Sequence, residues 1–274
     1  MPPRGWTLPR TPTGSSAAVC PPPWHFSGDM ISVDFELDPA AAAEFVPSGM
    51  AVDNAGSASF LFADWSCRAD HDPRLVADPA RGQYMEAFLV VHGTFNEMPV
   101  GFVPFIWVDS DLSLIRGLIQ GFPKQIGSIS MSRAVDVGSG GPRKAPGSSF
   151  AAHVSERGER LCSASVTLDR QETDYLPKAV ATSLMLNRVF PSLDGRDGVD
   201  ELVRNVVRAT EVGSVYSGDA TIELIDSRKH EFGILAPITS RARGFVFSFA
   251  FSIIGGKAVR LHTTHLDRRR KEGN

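Results

Sequence analysis

Hydrophobic and polar residues alternate along much of this chain, with the period of two that is typical of half-buried β-strands. The clearest example is residues 31–37, where Ile, Val, Phe and Leu alternate with Ser, Asp and Glu. The other strand candidates are residues 57–67, 83–92, 100–108, 128–132, 149–156, 161–169, 220–225, 245–254 and 259–263. The pattern therefore predicts many strands and few helices.

Three segments have the periodicity or the end signals of helices. Residues 38–45 begin with Asp38 as a predicted N-cap and Pro39 at the first helical position. Residues 112–120 are amphipathic, Asp109 and Asp111 are predicted to cap them, and Gly121 and Pro123 end the helix. Residues 200–209 are also predicted to be helical, because Leu202, Val203, Val206 and Val207 would share one face of a helix.

Two glycine-rich turns complete the sequence-based fold prediction. Residues 138–142 (Gly-Ser-Gly-Gly-Pro) predict a flexible hairpin connection, and Gly255–Gly256 predicts a tight one. No internal repeat is present in the sequence. We therefore predict an α+β fold that is mainly antiparallel β, a curved, barrel-like sheet around a central cavity with a few short helices.

The composition changes from the ends to the middle of the chain. Residues 1–23 are rich in Pro, Ser, Thr and Gly and predict a flexible or extended N-terminal arm. Residues 24–265 predict one domain, and residues 266–274 predict a solvated, charged tail.

Charge and cysteine content narrow the class of protein. The 274 residues carry a net charge of −3, which disfavours a surface for nucleic acid or anionic membranes. The chain has no apolar run as long as a membrane span, and its first residues lack the apolar core of a signal peptide. Three widely spaced cysteines and seven scattered histidines show no metal-ligand spacing. These features predict a reduced, cytoplasmic protein without metal or cofactor.

Lys124 is the strongest candidate for chemistry. It follows the run Gly121-Phe122-Pro123 and so lies at a helix-to-strand junction among apolar residues. Burial in an apolar pocket disfavours the ammonium form and lowers a lysine pKa, and a neutral amine can attack a carbonyl carbon. The alternative is a solvated surface lysine, which is the commoner fate of lysines near loops.

Arg116 and Gln120 are the candidate substrate-binding residues on the predicted helix. They are spaced i and i+4, so they share a face. An arginine can bind a carboxylate through two parallel hydrogen bonds. Arg116 could instead form a structural salt bridge with Asp109 or Asp111, and Gln120 could be a helix-end hydrogen bonder.

Glu86 is the candidate acid/base group. Strand alternation places Tyr84, Glu86 and Phe88 on one face, where a carboxylate needs a partner or a proton. An outward-facing strand glutamate is the alternative, because periodicity does not decide which face is buried. Cysteine chemistry is disfavoured, because Cys67 and Cys162 lie in apolar strand patterns where thiols are usually inert.

Several of these segments resemble the acetoacetate decarboxylase superfamily. The run Gly121-Phe122-Pro123-Lys124 resembles the family signature that carries the Schiff-base lysine, and residues 84–91 resemble the strand that carries the family's acidic residue. Weaker similarities follow in the family's order along the chain: residues 102–109, 187–195, 218–224 and 247–256. Together the similar segments span about residues 24–260.

The resemblance implies a fold, a site and an activity. It implies a curved antiparallel sheet around a cavity, a homo-oligomer and cofactor-independent lysine imine chemistry on a small oxo acid. Lys124 would be the nucleophile and Glu86 the proton-transfer group. Arg116, Gln120, Phe122 and Tyr84 would contact the substrate.

Three departures from the decarboxylase pattern concern the chemistry. Acetoacetate decarboxylases carry a second lysine where this chain has Gln125. They also carry an arginine in the N-terminal strand and a second acidic residue in the strand that corresponds to residues 60–63, and this chain has neither. Relatives with a single lysine use the imine for aldol condensation and dehydration, some with a tyrosine near the C-terminal strand. Here phenylalanines occupy that strand (Phe245, Phe247, Phe249 and Phe251).

The resemblance therefore implies a carbon–carbon lyase in secondary metabolism, with decarboxylation of a small or medium oxo acid as the first hypothesis. An imine-based aldolase, dehydratase or cyclase is the alternative reaction. A ligand-binding protein that keeps the cavity without catalysis is the alternative of another class.

Overall fold

The computed structural model describes residues 2–195, 198–227, 229–235, 237 and 242–261 of the chain. Five short helices accompany thirteen strands in this part of the chain. The helices are α1 (Pro39–Ala43), α2 (Arg74–Ala77), α3 (Pro79–Gly82), α4 (Asp111–Gln120) and α5 (Lys178–Ala181). The strands are β1 (Trp24–Glu36), β2 (Met50–Val52), β3 (Ser57–Ala69), β4 (Gln83–Phe95), β5 (Met98–Val108), β6 (Lys124–Ile126), β7 (Ser128–Met131), β8 (Ser149–Glu156), β9 (Glu159–Gln171), β10 (Ser183–Phe190), β11 (Val199–Val212), β12 (Tyr216–Leu224) and β13 (Ala242–Leu261).

The strands form one sheet that closes on itself. The order β1-β3-β4-β5-β10-β11-β13 returns to β1 through a β1–β13 pairing, so these seven strands make a closed barrel. From β13 the sheet continues outward through β12, β9, β8 and β7. Among the described strands, β5 pairs in parallel with β10 and with β6, and the other pairings are antiparallel. The predicted α+β, mainly antiparallel barrel is confirmed.

Strand alternation located most of the sheet correctly. The nine candidates from residue 31 to residue 254 all lie on observed strands, and residues 138–142 connect the antiparallel pair β7 and β8 as predicted. The helix at residue 38 is confirmed too, because Asp38 accepts hydrogen bonds from the backbone N–H groups of Ala40 and Ala41.

The predicted helix at residues 200–209 is wrong, because this segment belongs to strand β11. The spacing of its apolar residues matches one face of a helix, but in a strand adjacent side chains point to opposite faces. Leu202 packs with Met50 and Phe102 in a small hydrophobic core, whereas Val203 packs into a different, larger core beside the barrel cavity. A strand that is covered on both faces loses the alternation on which the prediction depends.

The predicted hairpin at Gly255–Gly256 is also wrong. Both glycines lie inside the long strand β13, which continues to Leu261. The register between β11 and β13 shifts at this point, since Val206 pairs with Gly255 and Val207 pairs with Ile253. The glycines therefore mark a β-bulge, which bends a strand without reversing it. The last predicted strand, residues 259–263, is the end of β13, and its residues 262–263 lie outside the described part.

Two large hydrophobic cores lie on opposite faces of the sheet. One is filled by aromatic and aliphatic side chains that include Phe60, Trp107, Phe150 and Phe232. The other includes Trp24, Phe26, Trp65 and Phe247 and surrounds the interior of the closed barrel. The functional candidates lie beside the second core.

The N-terminal segment lies against the barrel. Ala17 and Val19 are buried, and Trp6 makes an edge contact with Trp24 at 5.8 Å between ring centroids. The segment contains no helix or named strand up to residue 23, in keeping with an extended chain; its flexibility stays a prediction. The charged tail, residues 266–274, and the domain limit at 265 lie outside the described residues.

Candidate active site

Helix α4 and the turn after it place Lys124. The helix begins at Ser110, whose hydroxyl accepts a hydrogen bond from the Ser113 N–H, so Ser110 is the N-cap in place of the predicted aspartates. It ends at Gly121, which has a left-handed φ of 96°. Lys124 then opens β6, paired with Ile106 of β5. This confirms the predicted helix-to-strand junction.

The Lys124 side chain is buried and held at its amine. Nζ lies 2.5 Å from Oε2 of Glu86 and donates a second hydrogen bond of 2.9 Å to Oγ of Ser113. Nζ also lies 5.5 Å from the ring centroid of Tyr84 and 5.6 Å from that of Phe122. Lys124 is therefore not a surface lysine.

Burial lowers the pKa of Lys124 from its ordinary value of 10.5, because the ammonium form loses its hydration. The nearby Arg116 guanidinium lowers this pKa further, whereas the Glu86 carboxylate opposes the shift. With Gln125 in the next position, burial and Arg116 supply the effect that a second lysine would exert.

Gly117 makes room for the lysine stem. A Cβ atom at this position would lie 2.3 Å from Cδ and 2.5 Å from Cε of Lys124, which is closer than atoms can pack. A glycine inside a helix costs stability relative to alanine, by about 1 kcal/mol. Here the missing side chain lets the helix approach Lys124 closely.

Glu86 faces the cavity and is hydrogen-bonded through both oxygens. Oε1 accepts a 3.2 Å hydrogen bond from the indole N–H of Trp65, and Oε2 faces Lys124. Glu86 is only 7% exposed, so the alternative of an outward-facing glutamate is wrong.

Arg116 is buried beside the cavity and forms no salt bridge with Asp109 or Asp111. Its guanidinium lies 4.9 Å from the Phe26 ring centroid and 5.5 Å from that of Tyr84, and Nη1 lies 3.2 Å from Sγ of Cys67. Burial raises the pKa of Cys67, so its thiol stays protonated and does not neutralise Arg116.

Two donors near Lys124 have no protein partner among the described residues. Nη2 of Arg116 and Nε2 of Gln120 are both buried and without a hydrogen bond. Both residues line the cavity that contains Lys124. Buried donors without partners are costly, so this pair is suited to bind an acceptor such as a carboxylate.

The cavity itself has a volume of about 280 Å³. It is lined by all six residues singled out from the sequence: Tyr84, Glu86, Arg116, Gln120, Phe122 and Lys124. Aromatic side chains from β1, β3 and β13 (Phe26, Trp65, Phe249 and Phe251) form much of the remaining wall. The structure therefore brings the predicted site residues together, while their roles in catalysis stay predictions.

The sequence reasoning missed Ser113 and Trp65. Ser113 is 1% exposed and accepts a hydrogen bond from Lys124. Helical spacing could have identified Ser113, because it lies one turn before Arg116 and two turns before Gln120 on the same helix face. Trp65 is paired with Tyr84 across β3 and β4, a contact that sequence spacing alone does not reveal.

A second buried carboxylate lies near Gln125, the neighbour of Lys124. Glu156 accepts hydrogen bonds from the Trp107 indole and from Nζ of Lys229, and its Oε2 lies 2.9 Å from Nε2 of His230. Lys229 also donates a hydrogen bond to Oε1 of Gln125. These hydrogen bonds, above all the one from Lys229, lower the pKa of Glu156 to about 2 against the effect of burial.

Two negative findings hold for the described part of the chain. It contains no group of three or more His, Cys, Asp or Glu side chains that could hold a metal ion. No helix in it is long and apolar enough to cross a membrane.

Several solved structures of enzymes are similar to this chain over nearly its whole length. The enduracididine biosynthesis enzyme MppR with bound HEPES buffer is 37% identical, with a TM-score of 0.90 over 96% of this chain and 97% of that one. MppR has also been solved with pyruvate (36% identity, TM-score 0.90, 96% and 100% covered). A third MppR structure contains the condensation product of pyruvate and imidazole 4-carboxaldehyde (37% identity, TM-score 0.88, 94% and 97% covered).

An acetoacetate decarboxylase-like enzyme from Sphingomonas wittichii RW1 is 27% identical, with a TM-score of 0.84 over 94% of this chain and 100% of that one. No curated protein sequence matches the chain. The sequence profile of the family described as Acetoacetate decarboxylase (ADC) matches residues 7–262, nearly the whole length. This chain therefore belongs to the acetoacetate decarboxylase family.

Proposed function

We propose that this protein is an imine-forming aldolase or dehydratase, which condenses a small 2-oxo acid such as pyruvate with an aldehyde. The observation that carries the proposal is the arrangement around Lys124. A buried amine with a lowered pKa shares one cavity with two unpartnered donors, Arg116 Nη2 and Gln120 Nε2. MppR, which is similar over nearly its whole length, has been solved with pyruvate and with a pyruvate condensation product.

The first steps belong to Lys124 and its two hydrogen-bond partners. The neutral amine attacks the ketone carbon, and the resulting carbinolamine loses water to give a protonated imine. Glu86, at 2.5 Å from Nζ, accepts the proton that the ammonium form must lose and returns it to the hydroxyl that leaves as water, and Ser113 holds the amine in place. The imine then withdraws electrons from the neighbouring carbon, which loses a proton to the Glu86 carboxylate to give an enamine.

The enamine carbon is the nucleophile of the second half-reaction. It attacks the aldehyde carbon, and the aldehyde oxygen takes up a proton to become a hydroxyl. Loss of that hydroxyl as water gives the dehydrated product, and water then hydrolyses the imine to release Lys124. Because the lysine imine is the electron sink, these steps need no cofactor.

The two free donors favour condensation over decarboxylation. A carboxylate bound by Arg116 and Gln120 is stabilised as an anion, and these hydrogen bonds weaken as the group becomes neutral CO₂. Interactions that are stronger in the ground state than in the transition state slow a reaction. They suit a reaction in which the carboxylate stays on the substrate.

Product analysis tests the proposal. We would incubate the protein with pyruvate and a set of aldehydes, and separately with acetoacetate, and follow products by mass spectrometry. The proposal predicts condensation products that disappear in Lys124→Met, and little CO₂ from acetoacetate. Rapid CO₂ release with no condensation would establish the decarboxylase instead. Tight binding of oxo acids without turnover, unchanged in Lys124→Met, would establish a binding protein.

A further inference from the structure

A second cavity adjoins the one that contains Lys124. It has a volume of about 230 Å³, and Gln120 and Asn205 line both cavities. The two residues therefore stand at the boundary between the two chambers. Gln120 also carries Nε2, the buried donor that has no hydrogen-bond partner among the described residues.

The second cavity has one apolar side. Trp6 and Pro22 of the N-terminal segment, Trp24 at the start of β1 and Ile119 of α4 form it. Trp6 is held against Trp24 by their edge contact, so the N-terminal segment supplies part of the wall. Flat aromatic surfaces of this kind suit an apolar or planar stem.

The other side of the second cavity is polar. Arg188 and Glu201 pair across β10 and β11, and Nη2 of Arg188 forms a salt bridge with Oε1 of Glu201. The Arg188 side chain is 36% exposed and that of Glu201 is 9% exposed, so the pair is partly shielded from water. Nε of Arg188 is buried and has no hydrogen-bond partner among the described residues.

Strand register shows which side chains share this polar side. Val203 pairs with Leu186 of β10 and with Ala258 of β13, so these positions face the same way as Arg188 and Glu201. Asn205 follows on the same face of β11, two residues beyond Val203. Arg204 lies on the opposite face and lines neither cavity.

The charges of the side chains on this face cancel, because one guanidinium is paired with one carboxylate. Lys257 also lines the cavity, but it is paired with Arg204 in the sheet, so its side chain points to the opposite face. The side chains nevertheless offer donors and acceptors: Nε of Arg188, the Glu201 carboxylate and the Asn205 amide. A neutral group that both donates and accepts hydrogen bonds, such as a primary amide, matches this arrangement better than a free anion or cation.

We propose that the second cavity binds the distal end of the aldehyde substrate, which extends past Gln120 and Asn205 from the imine at Lys124. This inference rests on the proposed condensation and assigns its acceptor a chemical class. The acceptor is an aldehyde with a planar or apolar stem and a neutral, hydrogen-bonding terminal group. Pyruvate, with three carbons, occupies the main cavity near Lys124, Arg116 and Gln120.

Paired acceptors and paired variants test the inference. The acceptors are benzaldehyde and 4-formylbenzamide, which differ by the terminal amide, each with pyruvate as the partner. Ala258→Phe fills the second cavity from an exposed position. Arg204→Phe, on the neighbouring strand with its side chain on the opposite face, is the matched control.

The wild-type protein should prefer 4-formylbenzamide in kcat/KM by about tenfold, the value of roughly one well-placed hydrogen bond. Ala258→Phe should abolish this preference by lowering kcat/KM for 4-formylbenzamide more than for benzaldehyde, and Arg204→Phe should keep the preference. Equal turnover of the two aldehydes in the wild type, or an unchanged preference in Ala258→Phe, would overturn the inference.

A binding measurement separates failure of the cavity assignment from failure of the proposed reaction. Calorimetry with 4-methylbenzamide, which has no aldehyde, should show binding that Ala258→Phe weakens about tenfold and Arg204→Phe leaves unchanged. That result without any condensation product would retain the cavity assignment and reject the aldolase. Equal affinity in all three proteins would reject the cavity assignment, whatever the reaction.

Discussion

Two of the buried glutamates, Glu86 and Glu156, lie in nearly the same setting, one on each side of strand β6. Glu86 is bonded to the Trp65 indole and to Lys124, and Glu156 is bonded to the Trp107 indole and to Lys229. In both, the lysine nitrogen lies 2.5 Å from a carboxylate oxygen. The difference lies in water access, because the Lys124 side chain is 5% exposed and that of Lys229 is 54% exposed.

Water access decides what each lysine can do. Water solvates the Lys229 ammonium, so its pairing with Glu156 is an ordinary ion pair that joins the loop after β12 to the sheet. Lys124 is desolvated and lies beside Arg116, so its pKa falls and its neutral form becomes accessible. The same three residue types thus provide a structural contact on one side and a candidate nucleophile on the other.

Substitution of the two lysines should give the largest contrast. Lys124→Met removes the proposed nucleophile, and we expect condensation activity to fall at least about 10³-fold. Lys229→Met, whose side chain is mostly in water, should keep activity within about threefold. Steady-state rates with pyruvate and a reactive aldehyde check both, with circular dichroism to verify folding. Equal losses in the two variants would contradict the comparison.

The two glutamates should separate in the same way. We expect Glu86→Gln to lower kcat about 10²- to 10³-fold, because the amide cannot accept the proton that Lys124 must lose. Glu156→Gln should leave kcat nearly unchanged. Single-turnover rates of imine formation would locate the Glu86 effect, and an unaffected imine rate in Glu86→Gln would exclude the proton-transfer role.

Gly117→Ala tests how closely the lysine must be positioned. The new Cβ would lie 2.3 Å from Cδ of Lys124, so the side chain must move. A displacement of about 1 Å can cost about 10²-fold in rate, and we expect a loss of that order with the fold retained. Gly140→Ala, where a Cβ meets nothing within 4 Å, is the control. A fully active Gly117→Ala would show that the Lys124 position tolerates displacement.

The smallest effect concerns stability and its pH dependence. The pKa of Glu156 is lowered to about 2 from 4.5, so its ionised form stabilises the folded state above pH 4.5. We expect Glu156→Gln to lower the free energy of unfolding at pH 7 by roughly 1–2 kcal/mol, discounted for the exposure of Lys229.

That contribution should be lost as the pH falls from 4.5 towards 2, because the unfolded chain takes up the proton first. Denaturant unfolding of the wild type and Glu156→Gln should therefore give converging free energies at pH 3. A constant difference from pH 7 to pH 3 would contradict the assignment.

The sequence predicted the elements around Lys124 because local chemistry specifies them. Gly121 and Pro123 end the helix, and alternation defines the strands on either side, so the position of Lys124 follows from near neighbours. Strand β11 was missed because Leu202 and Val203 pack into different cores, which erases the alternation.

Contacts between distant residues were also beyond sequence reasoning. Trp65 bonds Glu86 across 21 positions, and Arg116 contacts Cys67 across 49. Such pairs depend on how strands are ordered in the barrel, which no local pattern fixes. The sequence left two positions open for Arg116: the cavity, or a salt bridge with Asp109 or Asp111. Its place beside the cavity depends on packing against Phe26 and Tyr84, which the sequence does not reveal.

Borohydride trapping tests whether Lys124 forms the imine. The protein would be incubated with pyruvate, reduced, digested and mapped by mass spectrometry, alongside Lys124→Met and Lys229→Met. We expect a reduced pyruvate adduct on Lys124 in the wild type and in Lys229→Met, and no adduct in Lys124→Met. An adduct that persists in Lys124→Met, or that maps to Lys229, would contradict the claim that desolvation makes Lys124 the nucleophile.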